Sequence, residues 1–161
     1  MKVSAGLVDK VIDFVLAETG LKAIVCDTTG TVIAAAEKER IGSVHSGACR
    51  ILFDGSSEVV ITPEEEIASG GVVRVGVNLP IVYEEKIVGT FGIAGEPDLV
   101  RSVARISSGL IRDALDAEKK NRHIAEQAAI LQKEKACADA VIDSIPGMLY
   151  LYDAQGRLVR W

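Results

Sequence analysis

Val72-Val73-Arg74-Val75-Gly76-Val77-Asn78-Leu79-Pro80-Ile81-Val82-Tyr83, followed by Glu84-Glu85 and then Lys86-Ile87-Val88-Gly89-Thr90-Phe91-Gly92-Ile93-Ala94, is a pair of β-rich runs around a short polar break. Val, Ile, Tyr and Phe dominate both runs, which suits pleated and half-buried backbone. Two such runs this close together fold back as an antiparallel pair. Glu-Glu is a poor residue pair for a two-residue primed turn, so the loop is expected to be a little longer than two. Pro80 cannot donate to a ladder and is expected at a strand edge or a bulge.

Upstream, residues 4–18 place Leu7, Val8, Val11, Ile12, Val15 and Leu16 at helical spacing, and Gly20 closes the run. Lys22–Asp27 and Thr31–Ala35 read as a hairpin around Asp27-Thr28-Thr29-Gly30. Ile41 to Leu52 reads as a short helix entered through the loop Arg40–Gly42, with Ser43 as its cap. Glu58–Ile61 is a short strand. Thr62-Pro63-Glu64-Glu65 is a helix start, with Thr62 as cap, Pro63 in the first position and Glu65 as the capping-box acid, and Gly70-Gly71 ends that helix. The predicted fold class is α+β: a five-stranded antiparallel sheet flanked by helices, with a long C-terminal coiled-coil helix.

At 161 residues the chain fits one domain of ordinary size plus an appendage. Aromatic residues are only 4% of it, so the core must rest on Val, Ile, Leu and Ala. A formal net charge of −5 with no basic block excludes nucleic acid as a partner of this segment. No apolar run is long enough to cross a bilayer, and Met1-Lys2-Val3-Ser4-Ala5-Gly6 lacks a signal-peptide core, so a cytoplasmic location with no membrane partner is expected. Cys26, Cys49 and Cys137 form an odd, widely spaced set without a CxxC pair, which argues against a disulfide framework or a thiolate zinc site. Cys26 reads as a buried strand residue and the other two as helix residues.

From Asp98 onward the pattern becomes one long helix, with Gly109 the only glycine between residues 98 and 146. Apolar positions recur in steps of four and three. Leu110, Ala117, Ile124, Leu131, Ala138 and Ile145 fall at d, and Ala114, Asn121, Ala128, Lys135 and Ile142 at a. Asn121 and Lys135 weaken the seam but specify its register, as expected of a parallel homodimer. Three segments follow: 1–97 an α+β domain, 98–145 a long dimerisation helix, and 146–161 a separate C-terminal segment.

Arg40-Ile41-Gly42-Ser43-Val44-His45-Ser46-Gly47-Ala48 gathers one of the few arginines outside the long helices, one of only two histidines and several small residues. Arginine can take both oxygens of a carboxylate in one planar fork, which makes Arg40 the leading candidate. His45 can donate to a carboxylate or hydroxyl. Gly42, Ser43, Ser46, Gly47 and Ala48 let a ligand approach the backbone. Asn78 both donates and accepts, as a sugar hydroxyl requires. Gly92 keeps the neighbouring strand clear, and Arg74 is expected to alternate to the same strand face as Asn78. The predicted ligand-binding set is Arg40, Gly42, Ser43, His45, Gly47, Ala48, Arg74, Asn78, Pro80 and Gly92.

The blocks Arg40–Ala48, Gly76–Ile81 and Gly89–Gly95, in this order and spacing, resemble the sugar-diacid recognition (CdaR-type) sensor domain, a PAS-like ligand-binding module of bacterial regulators. The resemblance covers roughly residues 5–115 and matches the family at Arg40, Gly42, His45, Gly47, Asn78, Pro80, Gly89, Gly92 and Gly95. It implies a PAS-like sheet, a small carboxylate ligand and no catalytic residues or cofactor. The block from Ile142 to Trp161 resembles the opening of a PAS domain: a linker helix ending at Pro146-Gly147, a strand, an Asp153-x-x-Gly156 turn, and a strand that includes Trp161. A domain does not stop there, so downstream PAS and output domains are expected, with a sensor histidine kinase as the favoured output.

Other readings compete. His45 and Cys49, four apart on the predicted helix, could both reach one metal, giving a metal, haem or redox sensor. A ligand-free dimerisation scaffold is the third. An enzyme is the weakest, because no nucleophile, phosphate loop or carboxylate pair has an identifiable role.

Overall fold

The computed structural model describes residues 5–144 and 150–160. Five antiparallel strands form its main sheet: β1 (Ala23–Cys26), β2 (Val32–Ala35), β3 (Val59–Ile61), β4 (Gly76–Tyr83) and β5 (Lys86–Ala94). They lie in the order β2-β1-β5-β4-β3, so the last strand made is central and pairs with the first. The sheet is the five-stranded antiparallel one the sequence predicts, with helices on its faces.

The β4–β5 pair runs from Gly76↔Ala94 to Tyr83↔Lys86. The connection is therefore two residues, not longer. Glu84 and Glu85 take φ of +48° and +62°, the left-handed values that match strand twist. This conformation costs an L-residue roughly 1–2 kcal/mol, and the eight-pair ladder behind the turn outweighs it. β4 also begins at Gly76, four residues later than the predicted Val72. The donors ahead of it are already engaged: Val73 N–H donates to Ser69 Oγ (3.2 Å) and Val75 N–H to the Glu66 carboxylate (2.7 Å). Arg74 consequently lies in irregular backbone and not on a strand. β3 pairs only with Gly76, Val77 and Asn78, so Pro80 sits past its end, at an open edge and beside a register shift at Ile81/Val82.

α1 (Ala5–Thr19) ends at Gly20, whose φ is +69°. It buries Val8, Ile12 and Val15 against Ala23, Val25, Val77, Leu79, Ile81, Phe91 and Ile93. Val100, Ala104, Ile111 and Leu115 from the first part of α4 (Pro97–Asp143) complete this core. α2 (Ser46–Asp54) packs against β3, β4 and β5, and its Ala48 joins Ile24 and Cys26 of β1 and Val32 and Ala35 of β2 in a second cluster. Cys26 is buried in a strand, and Cys49 and Cys137 lie on helices.

The Ile41–Leu52 helix needs correction at its start. Residues 38–40 form a single 3-10 turn, and the following loop lies along β2: Gly42 N–H donates to Val32 O and Val32 N–H to Ser43 O. That pairing leaves Ile41–Val44 unable to coil, so α2 starts at Ser46 with His45 as its cap. Ser43 is not the cap; its hydroxyl donates to Arg40 O (2.6 Å). α3 (Pro63–Ala68) has the predicted capping box: Glu65 N–H donates to Thr62 Oγ1 and Thr62 N–H to the Glu65 carboxylate.

The compact unit spans Met1–Ala117, and a second unit spans Glu118–Trp161. Within the second, Ile124, Leu131 and Val141 of α4 are exposed. β6 (Leu151–Tyr152) and β7 (Leu158–Arg160) pair around an Asp153-x-x-Gly156 turn, as predicted. Asp153 Oδ1 accepts from Gln155 and Arg157 N–H, the arrangement Asp27 makes with Thr29 and Thr31 in the β1–β2 turn. Ile145, Pro146-Gly147 and Trp161 lie outside the described residues.

Replacing Glu85 by Gly relieves one left-handed L-residue without touching the core. The variant is expected to be more stable by roughly 0.5–1 kcal/mol in urea denaturation, with an unchanged m-value.

Candidate ligand-binding site

A row of paired residues crosses the sheet: Ile24 on β1, Gly92 on β5, Asn78 on β4 and Val59 on β3. Two missing side chains create space above it. A Cβ on Gly92 would stand 2.5 Å from Asn78 Oδ1, and a Cβ on Gly47 of α2 would stand 2.7 Å from Asn78 Nδ2 and 3.0 Å from His45 Cε1. Asn78 is only 4% exposed, and its amide faces the space that Gly92 and Gly47 leave open.

His45 reaches the same cavity from the start of α2. Its Nδ1 accepts the Ala48 N–H at 3.3 Å, which assigns the proton of the neutral ring to Nε2. Burial, and secondarily the nearby Arg40, push its pKa down to about 4. His45 is therefore neutral at pH 7 and offers one N–H donor, not a positive charge.

The cations come from three separate segments. Lys22, Arg40 and Arg74 line the cavity together with Glu37, His45 and Asn78. Arg40 donates to Val72 O at 3.3 Å. Glu37 Oε1 accepts from Lys22 Nζ at 2.7 Å and from Arg74 Nη2 at 2.8 Å. The hydrogen bond from Lys22, then that from Arg74, holds the Glu37 carboxyl below the usual carboxylate range. Three cations and one carboxylate leave a local excess of two positive charges in a chain whose formal net charge is −5. The enclosed space is about 20 Å³, room for about one water and too little for an organic acid.

The structure thus brings Arg40, His45, Arg74, Asn78 and Gly92 to one cavity. Gly47 sits against Asn78 from α2, and Ala48 contributes its backbone N–H to His45. Gly42, at φ +89°, turns the loop that carries Arg40, and Ser43 closes that loop and lines a neighbouring groove. Pro80 is elsewhere, in a groove with Leu79, Arg105 and Arg112. Lys22 and Glu37 are members that sequence reasoning missed. Their signal was the hairpin register: Ile24↔Ala35 carried outward sets Lys22 opposite Glu37 as a cross-strand ion pair.

His45 and Cys49 face different surroundings. A Cβ on Gly30 of the β1–β2 turn would meet Cys49 Sγ at 2.8 Å, whereas the His45 ring lies against Asn78 and Gly47. Among the described residues no three His, Cys, Asp or Glu side chains are grouped to hold a metal ion. The Cys26 thiol, pushed up to about 12 by burial above all, is not a reactive thiolate.

Residues 3–137 match the family described as "Putative sugar diacid recognition". The chain is 31% identical over 111 residues to the carbohydrate diacid regulator of Escherichia coli (strain K12), covering 68% of this chain and 28% of that one. It is 36% identical over 74 residues to the uncharacterized protein YsfB of Bacillus subtilis (strain 168), covering 46% and 20%. The chain therefore spans only 20–28% of the length of these curated relatives. Among solved structures, a methyl-accepting chemotaxis protein (residues 122 to 287) is similar with a TM-score of 0.49 at 13% identity, over 71% of this chain and 91% of that one.

The buried neutral His45 makes stability pH-dependent with a defined sign. Its folded pKa of about 4 lies below the ordinary 6.5, so the unfolded chain binds the proton more readily. His45 contributes no pH dependence above 6.5, and stability falls as pH drops from 6.5 toward 4, by roughly 3 kcal/mol in full. Urea titrations between pH 7.5 and 5 are expected to show this slope in the parent protein and to lose it in His45→Gln.

Proposed function

The chain belongs to the sugar diacid recognition family, and from that premise we propose that its compact unit binds a small dicarboxylate, either a sugar diacid or a related hydroxy acid, and reports it to a signalling output. The observation that carries this reading is the cavity itself: three cations from three segments around a neutral His45 and the buried Asn78 amide. An excess of two positive charges suits a dianion. Arg40 takes one carboxylate through its planar fork. The His45 Nε2–H donates to a carboxylate or hydroxyl, and the Asn78 amide serves a hydroxyl as donor and acceptor at once. No step of this scheme makes or breaks a covalent bond, and the relative named above is a regulator.

α4 begins three residues after β5, the strand that carries Gly92. Ligand binding that moves β5 would bias two arrangements of that helix, to the extent that the ligand prefers one of them. We place a parallel homodimer at the seam Leu110, Ala114, Ala117, Asn121, Ile124, Leu131, Lys135 and Ile142. Its support is that Leu110, Ile124 and Leu131 are exposed and lack a covering element among the described residues. The output is a downstream domain joined through the PAS-like segment. A sensor histidine kinase is the proposal, with a regulator of another kind as the alternative. No helix among the described residues is long and apolar enough to cross a membrane, and a cytoplasmic location is part of the same proposal.

The test of ligand class is thermal unfolding with glucarate, galactarate, tartrate, malate, succinate and glycerate. A ligand at a hundred times its dissociation constant is expected to add about 2.7 kcal/mol, a shift of several degrees. The shift should appear with hydroxy diacids and vanish in Arg40→Ala. Absence of any shift in a well-folded protein overturns the reading. The test of assembly is sedimentation velocity, where the intact chain should run as a dimer and the double variant Ile124→Asp, Leu131→Asp as a monomer.

A further inference from the structure

We propose that Lys22 and Arg74 form the subsite for the ligand's second carboxylate, and that Glu37 occupies it as an internal stand-in until a dicarboxylate displaces it. This rests on the reading of the cavity as a dicarboxylate site and deepens it.

The geometry of Glu37 is that of a bound carboxylate. One oxygen accepts from an ammonium at 2.7 Å and from a guanidinium at 2.8 Å, the contacts a ligand carboxylate would make in the same place. Among the described residues Glu37 is also the only carboxylate lining the cavity. The carboxylates of other ion pairs, among them Asp9 with Lys38, Glu65 with Arg50 and Glu58 with Arg101, do not line it.

The stand-in can be exchanged. The side chains of Lys22, Arg74 and Glu37 are 50%, 35% and 21% exposed, so these pairs are screened and individually weak. A ligand anchored at Arg40 presents its second carboxylate at high effective concentration and can compete with them. Exchange also answers the size of the cavity. With Glu37 in place the enclosed space is about 20 Å³. Glu37 links three segments: the entry to β1 through Lys22, the exit of β2 where it stands, and the irregular stretch before β4 through Arg74. Its release unties the mouth that a diacid must pass. A monocarboxylate held at Arg40 has no second group with which to displace it, so the device selects diacids over monoacids.

The experiment is calorimetric titration of the full chain with galactarate and with galactonate, the matching monoacid, in the parent, Glu37→Gln, Lys22→Gln and the double variant. Glu37→Gln is expected to bind galactarate about five- to thirty-fold more tightly, the range set by two partly exposed ion pairs. Simple charge removal could also tighten binding, and the double variant separates the two causes. If Glu37 is a competitor, Lys22→Gln weakens competitor and ligand together in the parent and changes affinity less than twofold, but costs about tenfold once Glu37 is gone. An equal cost of Lys22→Gln in both backgrounds, or no tightening in Glu37→Gln, overturns the proposal while leaving the dicarboxylate site intact. Failure of both the parent and Glu37→Gln to bind galactarate, glucarate, tartrate, malate or succinate overturns the underlying site as well.

Discussion

The Asn78 amide occupies space that only glycine can leave open. It sits on β4 directly across from Gly92 and beneath Gly47, and a methyl group at either glycine would come within 2.7 Å of its polar atoms. Most of the site follows from that restriction. α2 can approach the sheet closely because Gly47 has no side chain, and the approach delivers His45, the cap of α2, to the same spot. The cavity is thus a gap between packed elements and not a groove on the surface, which is why its polar groups are nearly dry while its rim is wet.

Charge is distributed to match. The buried residues at the floor, Asn78 and His45, are neutral, and the cations stand at the partly exposed rim. Burying a cation beside Asn78 would carry a large desolvation penalty with no partner to offset it. Lys22, Arg40 and Arg74 stand instead at the mouth, where water hydrates their charge. Glu37, between Lys22 and Arg74, offsets part of the repulsion among them.

Much of this was legible from local rules, and the failures were local rules overridden. The capping box at Thr62–Glu65 and the Asp-x-x-Gly hairpins formed as read, because each is satisfied within a few residues. The start of α2 was misplaced because β2 captured the Ile41–Val44 backbone, and the start of β4 because α3 side chains captured the donors of Val73 and Val75. The Glu84-Glu85 turn defied its propensity because the register of a long ladder leaves only two residues to turn in. Lys22 and Glu37 were overlooked because neither is unusual in its neighbourhood; the meaning of each lies in the other.

By itself the sequence determined the element order, the antiparallel five-stranded sheet, the long helix expected from residue 98 onward, and the clustering of small and polar residues around Arg40–Ala48. Periodicity, caps and turns act over a few residues, and the chain carries them openly. Only the tertiary structure decided that Arg74, in irregular backbone, reaches the same cavity as Asn78, that Pro80 does not, that His45 is a buried neutral cap, and that Glu37 holds two cations at the mouth. Those facts depend on which segments meet across the sheet, and on what burial does to the charge of the groups that meet there.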